Sequence, residues 1–186
     1  HFHIPLQSGS DIILKYMKRR YNTSMYINII NKIQEKIKNV CIGADVIVGF
    51  PNETEEEFEK TFKLIKNLKL SYLHVFSFSE RENTLATEMK GKIDKFTIAK
   101  RSKRLRILSE KLKYSYYRKF SNIKKEIIVE DKNKNGYQYG FTDNYLKVRI
   151  LSSKEFTNKK IKVQLGEIKE DCIFEGNPIL EDVSKY

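Results

Sequence analysis

Ala44-Asp45-Val46-Ile47-Val48-Gly49-Phe50-Pro51-Asn52-Glu53-Thr54 is the stretch that decides the fold. Residues 44–50 form a near-continuous apolar run, which predicts a parallel strand buried on both faces. Pro51 and Asn52 end the run, and Thr54 with Glu57 makes a capping box that opens a helix. Phe58, Phe62, Ile65 and Leu68 give that helix one apolar side. The same strand–turn–helix order recurs on either side. Upstream, 2–6 (FHIPL) reads as a short buried strand and 8–11 (SGSD) as turn and N-cap. Ile13, Leu14 and Met17 face inward from the short helix that follows. Thr23 or Ser24 is the candidate cap of a second helix, with Tyr26, Ile27, Ile30, Ile33 and Ile37 in register. Downstream, 72–78 (YLHVFSF) is the next strand. Residues 1–79 thus read strand, helix, helix, strand, helix, strand, which predicts an α/β fold around a parallel sheet.

A loop is expected over 80–95 and a long helix over 96–120. Ile98, Leu105, Leu108, Leu112 and Tyr116 lie on one side of that helix. Arg101, Lys103, Arg104, Arg106, Lys111 and Lys113 lie on the others. Beyond 122 the pattern changes to short strands, with candidates at 126–130, 137–142, 145–151, 160–168 and 172–174. Asn135-Gly136 is a strong hairpin signal. Five short strands in succession predict a small barrel. The domain boundary is placed near 122, giving units 1–121 and 122–186.

The chain has a formal net charge of +12, and its distribution is uneven. Residues 90–125 hold 14 Lys/Arg against Asp94 and Glu110, whereas 121–186 hold 12 basic against 11 acidic residues. A dense basic stripe favours nucleic acid through counterion release; a solvated helix face is the alternative. Cys41 and Cys172 are far apart and belong to no CxxC or CxxxCxxC cluster, the usage of a reduced, cytoplasmic protein. No run of about 18 apolar residues occurs, so no membrane association is expected, and no signal peptide is visible. The chain opens on His1 without an initiator Met and is expected to be part of something longer.

Two segments carry candidate chemistry. In 3–11 (HIPLQSGSD), polar groups follow a buried strand directly, where ligands of parallel α/β folds bind. Gln7 suits a sugar hydroxyl and Gly9 a close backbone approach; an ordinary strand–helix turn is the alternative. In the second segment, Asp45 sits inside an apolar strand, which is costly unless the carboxylate is paired. Two ribose hydroxyls satisfy it, and so does a structural hydrogen bond to backbone.

These segments resemble the radical-SAM methylthiotransferase family. HIPLQSGSD followed by Met17, Arg19 and Tyr21 resembles the family's strand-four motif. ADVIVGFPNET resembles its strand-five motif, and VFSFSERENTLA its strand-six motif. The segment 140–148 (GFTDNYLKV) resembles the signature of the TRAM domain. The resemblance covers the whole chain. It implies the last part of a (β/α) radical-SAM barrel over 1–121 and a small TRAM β-barrel over 122–186.

For S-adenosyl-L-methionine (SAM), the resemblance implies that Gln7, beside Ser8, contacts the ribose. Arg19 pairs with the carboxylate, Asp45 holds ribose hydroxyls, and the backbone from Val75 to Ser77 meets the adenine. Ser79 and Arg81 are placed at the mouth, facing substrate; for Arg81 a loop salt bridge to Glu80 or Glu82 is the alternative. Arg101 and Arg104 of the basic helix are assigned to tRNA. Phe141, Tyr145, Lys147 and Arg149 are assigned there too, by stacking and phosphate contact, with core packing the alternative for the two aromatics.

The sequence departs from the family pattern at two places. Asn52 stands for a usual Gly, and Asn tolerates left-handed backbone. Asn83 stands for the Gly of a Gly-Thr pair.

The implied reaction of the intact protein adds a methylthio group to C2 of modified adenosine 37 of tRNA, N6-threonylcarbamoyladenosine in the nearest branch. The other readings are isopentenyladenosine, a ribosomal-protein Asp, or an RNA-binding module with a degenerate barrel. The implied [4Fe–4S] clusters need a CxxxCxxC loop and an N-terminal domain, neither of which lies in 1–186. The chain alone is therefore expected to be inactive. A sulfur donor and a reductant protein such as flavodoxin or ferredoxin are the other implied partners.

Overall fold

The computed structural model describes residues 1–80, 84–132 and 136–179, without the side chains of 131 and 132. It is a mixed α/β structure in two compact units, Phe2–Leu112 and Lys113–Tyr186, the latter with His1.

The first unit is built on a parallel sheet of order β1 (Phe2–His3), β2 (Ile42–Val48), β3 (Tyr72–Ser77). The strand expected over 2–6 is only two residues long. Pro5 has no amide to donate, and Gln7 turns left-handed at φ 66 before rejoining β2 through a bridge to Val46. Helices α1 (Asp11–Tyr16), α2 (Thr23–Lys36) and α3 (Glu55–Asn67) connect the strands; α4 (Leu85–Glu88) and α5 (Lys95–Tyr117) follow. Ser10 and Thr54 cap α1 and α3 as read, but Asn22, not Thr23 or Ser24, caps α2 by accepting from the Met25 amide at 2.9 Å. The capping box is half made. Thr54 Oγ1 accepts from the Glu57 amide, while the Glu57 carboxylate turns to Ser10 Oγ and Lys60.

The core lies on one face of this sheet. Ile42, Ala44, Val46 and Val48 pack with Tyr26, Ile30, Phe58, Ile65, Leu105 and Leu108 of the helices. The expectation that β2 is covered on both faces is corrected. Its burial alternates beyond Ala44, and the second face carries the half-exposed Asp45 and Ile47. The two-residue period of a strand sends alternate side chains to opposite faces, and here one face is packed by helices.

The second unit is a closed barrel of order β4 (Lys124–Lys132), β5 (Tyr137–Thr142), β6 (Lys147–Leu151), β8 (Ile173–Pro178), β7 (Lys160–Lys169). Neighbours are antiparallel except β6 and β8, which are parallel, and the pairing of β4 with β7 closes the barrel. Ile127, Val129, Val148, Ile150, Val163, Leu165 and Phe174 fill the interior. A Cβ at Gly140 would come within 2.3 Å of the Ile128 carbonyl oxygen, so only Gly fits where β5 bends against β4. The strand read as 145–151 starts at 147, because Tyr145 is left-handed at φ 65 and closes the β5–β6 turn. Asn135 of the hairpin signal lies outside the described residues; Gly136 has φ +81.

Candidate functional site

An open cleft of about 610 Å3 lies beyond the carboxyl ends of β2 and β3 in the first unit, a volume within the usual range for small-molecule sites. Gln7, Arg19, Asp45, Ser77 and Ser79 line it, with Ile47, Phe50, Phe76 and Phe78 as its apolar wall. The left-handed turn at Gln7 aims its amide into the cleft, where Gln7 Oε1 accepts from Arg19 Nη2 at 3.1 Å. The short α1 and the turn after it place Arg19 there. Tyr21 anchors the next residues by donating to the Leu6 carbonyl at 3.1 Å, and burial pushes its phenol pKa up. Phe50 and Phe78 meet edge to face at 5.2 Å, while Phe76 is 51% exposed and meets the His74 ring edge to face at 6.4 Å.

Asp45 stands mid-strand on the open sheet face. Its Oδ1 accepts from His3 Nε2 at 2.8 Å, and His74 Nδ1 lies 3.4 Å from the same oxygen. No hydrogen bond to a backbone amide is found for this carboxylate among the described residues, and it borders the cleft. Neither histidine was singled out in the sequence. Each becomes visible only through strand register, since His74 is the residue paired with Asp45 across β2 and β3.

Other predicted residues divide. Ser8 is fully buried and its hydroxyl meets Thr61 Oγ1 at 3.3 Å and the Ser10 amide at 3.2 Å. That corrects its placement on a ligand: the side chain braces the turn against α3. Val75 packs its side chain on the core and does not line the cleft. Ser77 Oγ lies 3.1 Å from Ser102 Oγ of α5. Arg81 and Asn83 lie outside the described residues. Asn52 is left-handed at φ 66, as its place in the turn requires.

Arg101 is a second correction. It is 4% exposed and bound to Glu53 Oε2 at 3.1 Å, the Glu53 carbonyl at 2.6 Å and Glu55 Oε2 at 2.9 Å. A guanidinium so enclosed has no face left for a phosphate. Arg104 pairs with Glu55 and Glu59 and lies 4.9 Å over each of the Phe58 and Phe62 rings. It too is held against α3. Glu53 also accepts from the Gly49 amide at 2.8 Å, and burial pushes its pKa up to about 7 despite Arg101.

The second unit presents a separate surface. Phe141 and Tyr145 stack at 4.8 Å with an interplanar angle of 18°, and Tyr145 is 42% exposed, so this pair is not core. Lys147 lies 5.3 Å over Tyr139 and Arg149 lies 4.8 Å over Tyr137. Those two tyrosines, unassigned in the sequence, complete a ladder of rings on β5 and cations on β6. Thr142 and Asn144 beneath it are structural: Tyr116 Oη donates to the Asn144 carbonyl and accepts from its amide, both at 3.1 Å. Cys41 lies in the first unit and Cys172 in the second, so each unit offers one thiol.

Residues 1–65 match the family model described as Radical SAM superfamily. Over 89% of its length the chain is 39% identical to the threonylcarbamoyladenosine tRNA methylthiotransferase MtaB of Bacillus subtilis. It is 38% identical over 87% to a probable threonylcarbamoyladenosine tRNA methylthiotransferase of Methanocaldococcus jannaschii. To the tRNA-2-methylthio-N(6)-dimethylallyladenosine synthase of a Hydrogenobaculum species it is 34% identical over 90%. The chain spans 38%, 36% and 38% of the lengths of these three relatives.

Proposed function

We propose that this chain, a homologue of the radical-SAM tRNA methylthiotransferases over about nine-tenths of its length, is the SAM-holding last part of such an enzyme's barrel joined to its tRNA-gripping TRAM domain. On this reading 1–121 is the barrel portion with the basic helix, and 122–186 is the TRAM barrel. The observation that carries the reading is the convergence of Gln7, Arg19 and Asp45 on one cleft with an aromatic wall.

The residues fit the ligand. Arg19 uses one N–H on Gln7 and keeps the rest of its planar fork for the SAM carboxylate. The two Asp45 contacts both fall on Oδ1, which leaves Oδ2 for a ribose hydroxyl. Phe76 offers a ring face and the β3 backbone offers amide and carbonyl groups to the adenine. SAM and a reduced [4Fe–4S] cluster supply the radical chemistry in this family; one thiol per unit does not make a cluster ligand set, so the cluster ligands belong to other parts of the enzyme. The work of this chain is to fix SAM and to present tRNA.

The substrate in this reading is adenosine 37 carrying N6-threonylcarbamoyl, methylthiolated at C2. Two relatives named for threonylcarbamoyladenosine are 39% and 38% identical, against 32–36% for six named for dimethylallyladenosine. The β5–β6 ladder suits stacking on unpaired bases, and Lys147 and Arg149 suit phosphate. A cytoplasmic enzyme served by a sulfur donor and a flavodoxin- or ferredoxin-like reductant completes the picture. No helix among the described residues is long and apolar enough to cross a membrane.

The test is equilibrium binding of labelled SAM to the full-length enzyme and to its R19A and D45A variants. Each substitution is expected to weaken binding at least tenfold. Equal binding by all three rejects the site. Loss of SAM binding in every form with tRNA binding intact favours the bare RNA-binding module.

A further inference from the structure

His3, Asp45 and His74 stand on three adjacent parallel strands and converge on the open sheet face. Asp45 and His74 are register partners across β2 and β3, and His3 is aligned with Gly43, two residues before Asp45. Gly43 has no side chain, and the Tyr72 ring fills that space: a Cβ there would come within 2.2 Å of it. The donor atoms of His3, Asp45 and His74 all lie within 4.8 Å of one another.

Hydrogen bonding accounts for only half of this arrangement. His3 Nε2 donates to Asp45 Oδ1 at 2.8 Å. His74 Nδ1, at 3.4 Å from the same oxygen, lies beyond the ordinary N–H···O range of about 2.7–3.2 Å, yet it points at the same spot. An ion bonded to N and O ligands at about 2.0–2.2 Å holds those ligands roughly 3 to 3.5 Å apart. The 3.4 Å separation falls within that spacing and the 2.8 Å separation just short of it.

The other His3 nitrogen, Nδ1, lies 3.3 Å from Tyr72 Oη, the kind of outer contact that orients metal-bound imidazoles. The three side chains are 30%, 23% and 55% exposed, so further coordination positions face solvent. Rigid neighbouring strands hold the set in place.

We propose that His3, Asp45 and His74 bind one divalent transition-metal ion. Two imidazoles and one carboxylate suit Zn2+, Co2+ or Fe2+ over Mg2+ and Ca2+, which take oxygen ligands. The site shares Asp45 with the SAM assignment, but its readout is the ion itself, and R19A, which leaves the triad intact, is expected to weaken SAM binding without altering metal binding.

Co2+ titrated into the reduced chain, followed by its visible d–d absorption, tests the site. One equivalent is expected to bind, to be displaced by Zn2+ and to be unaffected by Mg2+. H74Q and D45N are expected to weaken binding at least tenfold, while H1A and C172S leave it unchanged. The half-exposed His74 makes H74Q safe for folding, which circular dichroism verifies. A folded wild-type chain without saturable absorption overturns the proposal. So does equal binding by H74Q and D45N, or binding that depends on His1 or Cys172 instead.

Discussion

Glu53 is 1% exposed, and its carboxylate joins the Gly49 amide on one side to the Arg101 guanidinium on the other. Removing one member of a buried pair strands the other's charge, which typically costs about 3–5 kcal/mol. R101A is expected to lose that much stability in urea denaturation at pH 8, where Glu53 is ionised; a loss under about 1 kcal/mol contradicts the buried pairing. The Glu53 pKa is raised from 4.5 to about 7, with burial the main cause. A raised folded-state pKa stabilises fully below the unfolded value, and that contribution disappears as pH climbs through the folded one. The stability of wild type relative to E53Q is therefore expected to fall between pH 4.5 and 7. Parallel stability curves for the two proteins across that window refute the assignment.

At the scale of elements, the turn between β2 and α3 is the most constrained piece of the first unit. Gly49 has φ +82, and a Cβ there would lie 2.3 Å from Ile98 Cγ1. G49A combines left-handed strain of about 1–2 kcal/mol with overpacking of about 1–3 kcal/mol. A drop in thermal midpoint of several degrees is expected, and an unchanged midpoint contradicts the reading. In the second unit, Y139A is expected to weaken tRNA binding by about 1–3 kcal/mol if a base stacks on the ladder. K147A is expected to reduce the salt dependence of binding by about one phosphate contact. Filter binding at several salt concentrations measures both, and unaltered affinity and slope place the RNA elsewhere.

These elements also show where the sequence was legible. Thr54 and the period of Phe58, Ile65 and Leu68 announced α3, because caps and helical period are local signals. The β5 and β7 runs announced themselves the same way. Which partner an ionic side chain takes is not local. The sequence assigns Arg101 to tRNA, and only the packing of α5 on α3 shows that Glu53 and Glu55 enclose it. Likewise Asp45 stood out as an acid in an apolar strand, but its two histidines come from β1 and β3, whose register the sequence does not state.

Across the whole molecule, the proposed function divides the labour between the two units by chemistry. The first gathers hydrogen-bonding groups of both signs around an aromatic-walled cleft, as a small charged nucleoside requires. The second displays rings interleaved with cations, as an unpaired RNA loop requires. The net charge of +12 is concentrated in residues 90–125, and within that stretch Arg101 and Arg104 spend theirs on ion pairs inside the first unit. The most direct measurement is nucleoside mass spectrometry of tRNA from a deletion strain supplied with the full-length gene, either wild type or D45A, at equal protein abundance. Wild type is predicted to restore 2-methylthio-N6-threonylcarbamoyladenosine, while D45A leaves N6-threonylcarbamoyladenosine unconverted. Full methylthiolation by D45A, or no change in that nucleoside on deletion, contradicts a SAM-holding role for this carboxylate in tRNA modification.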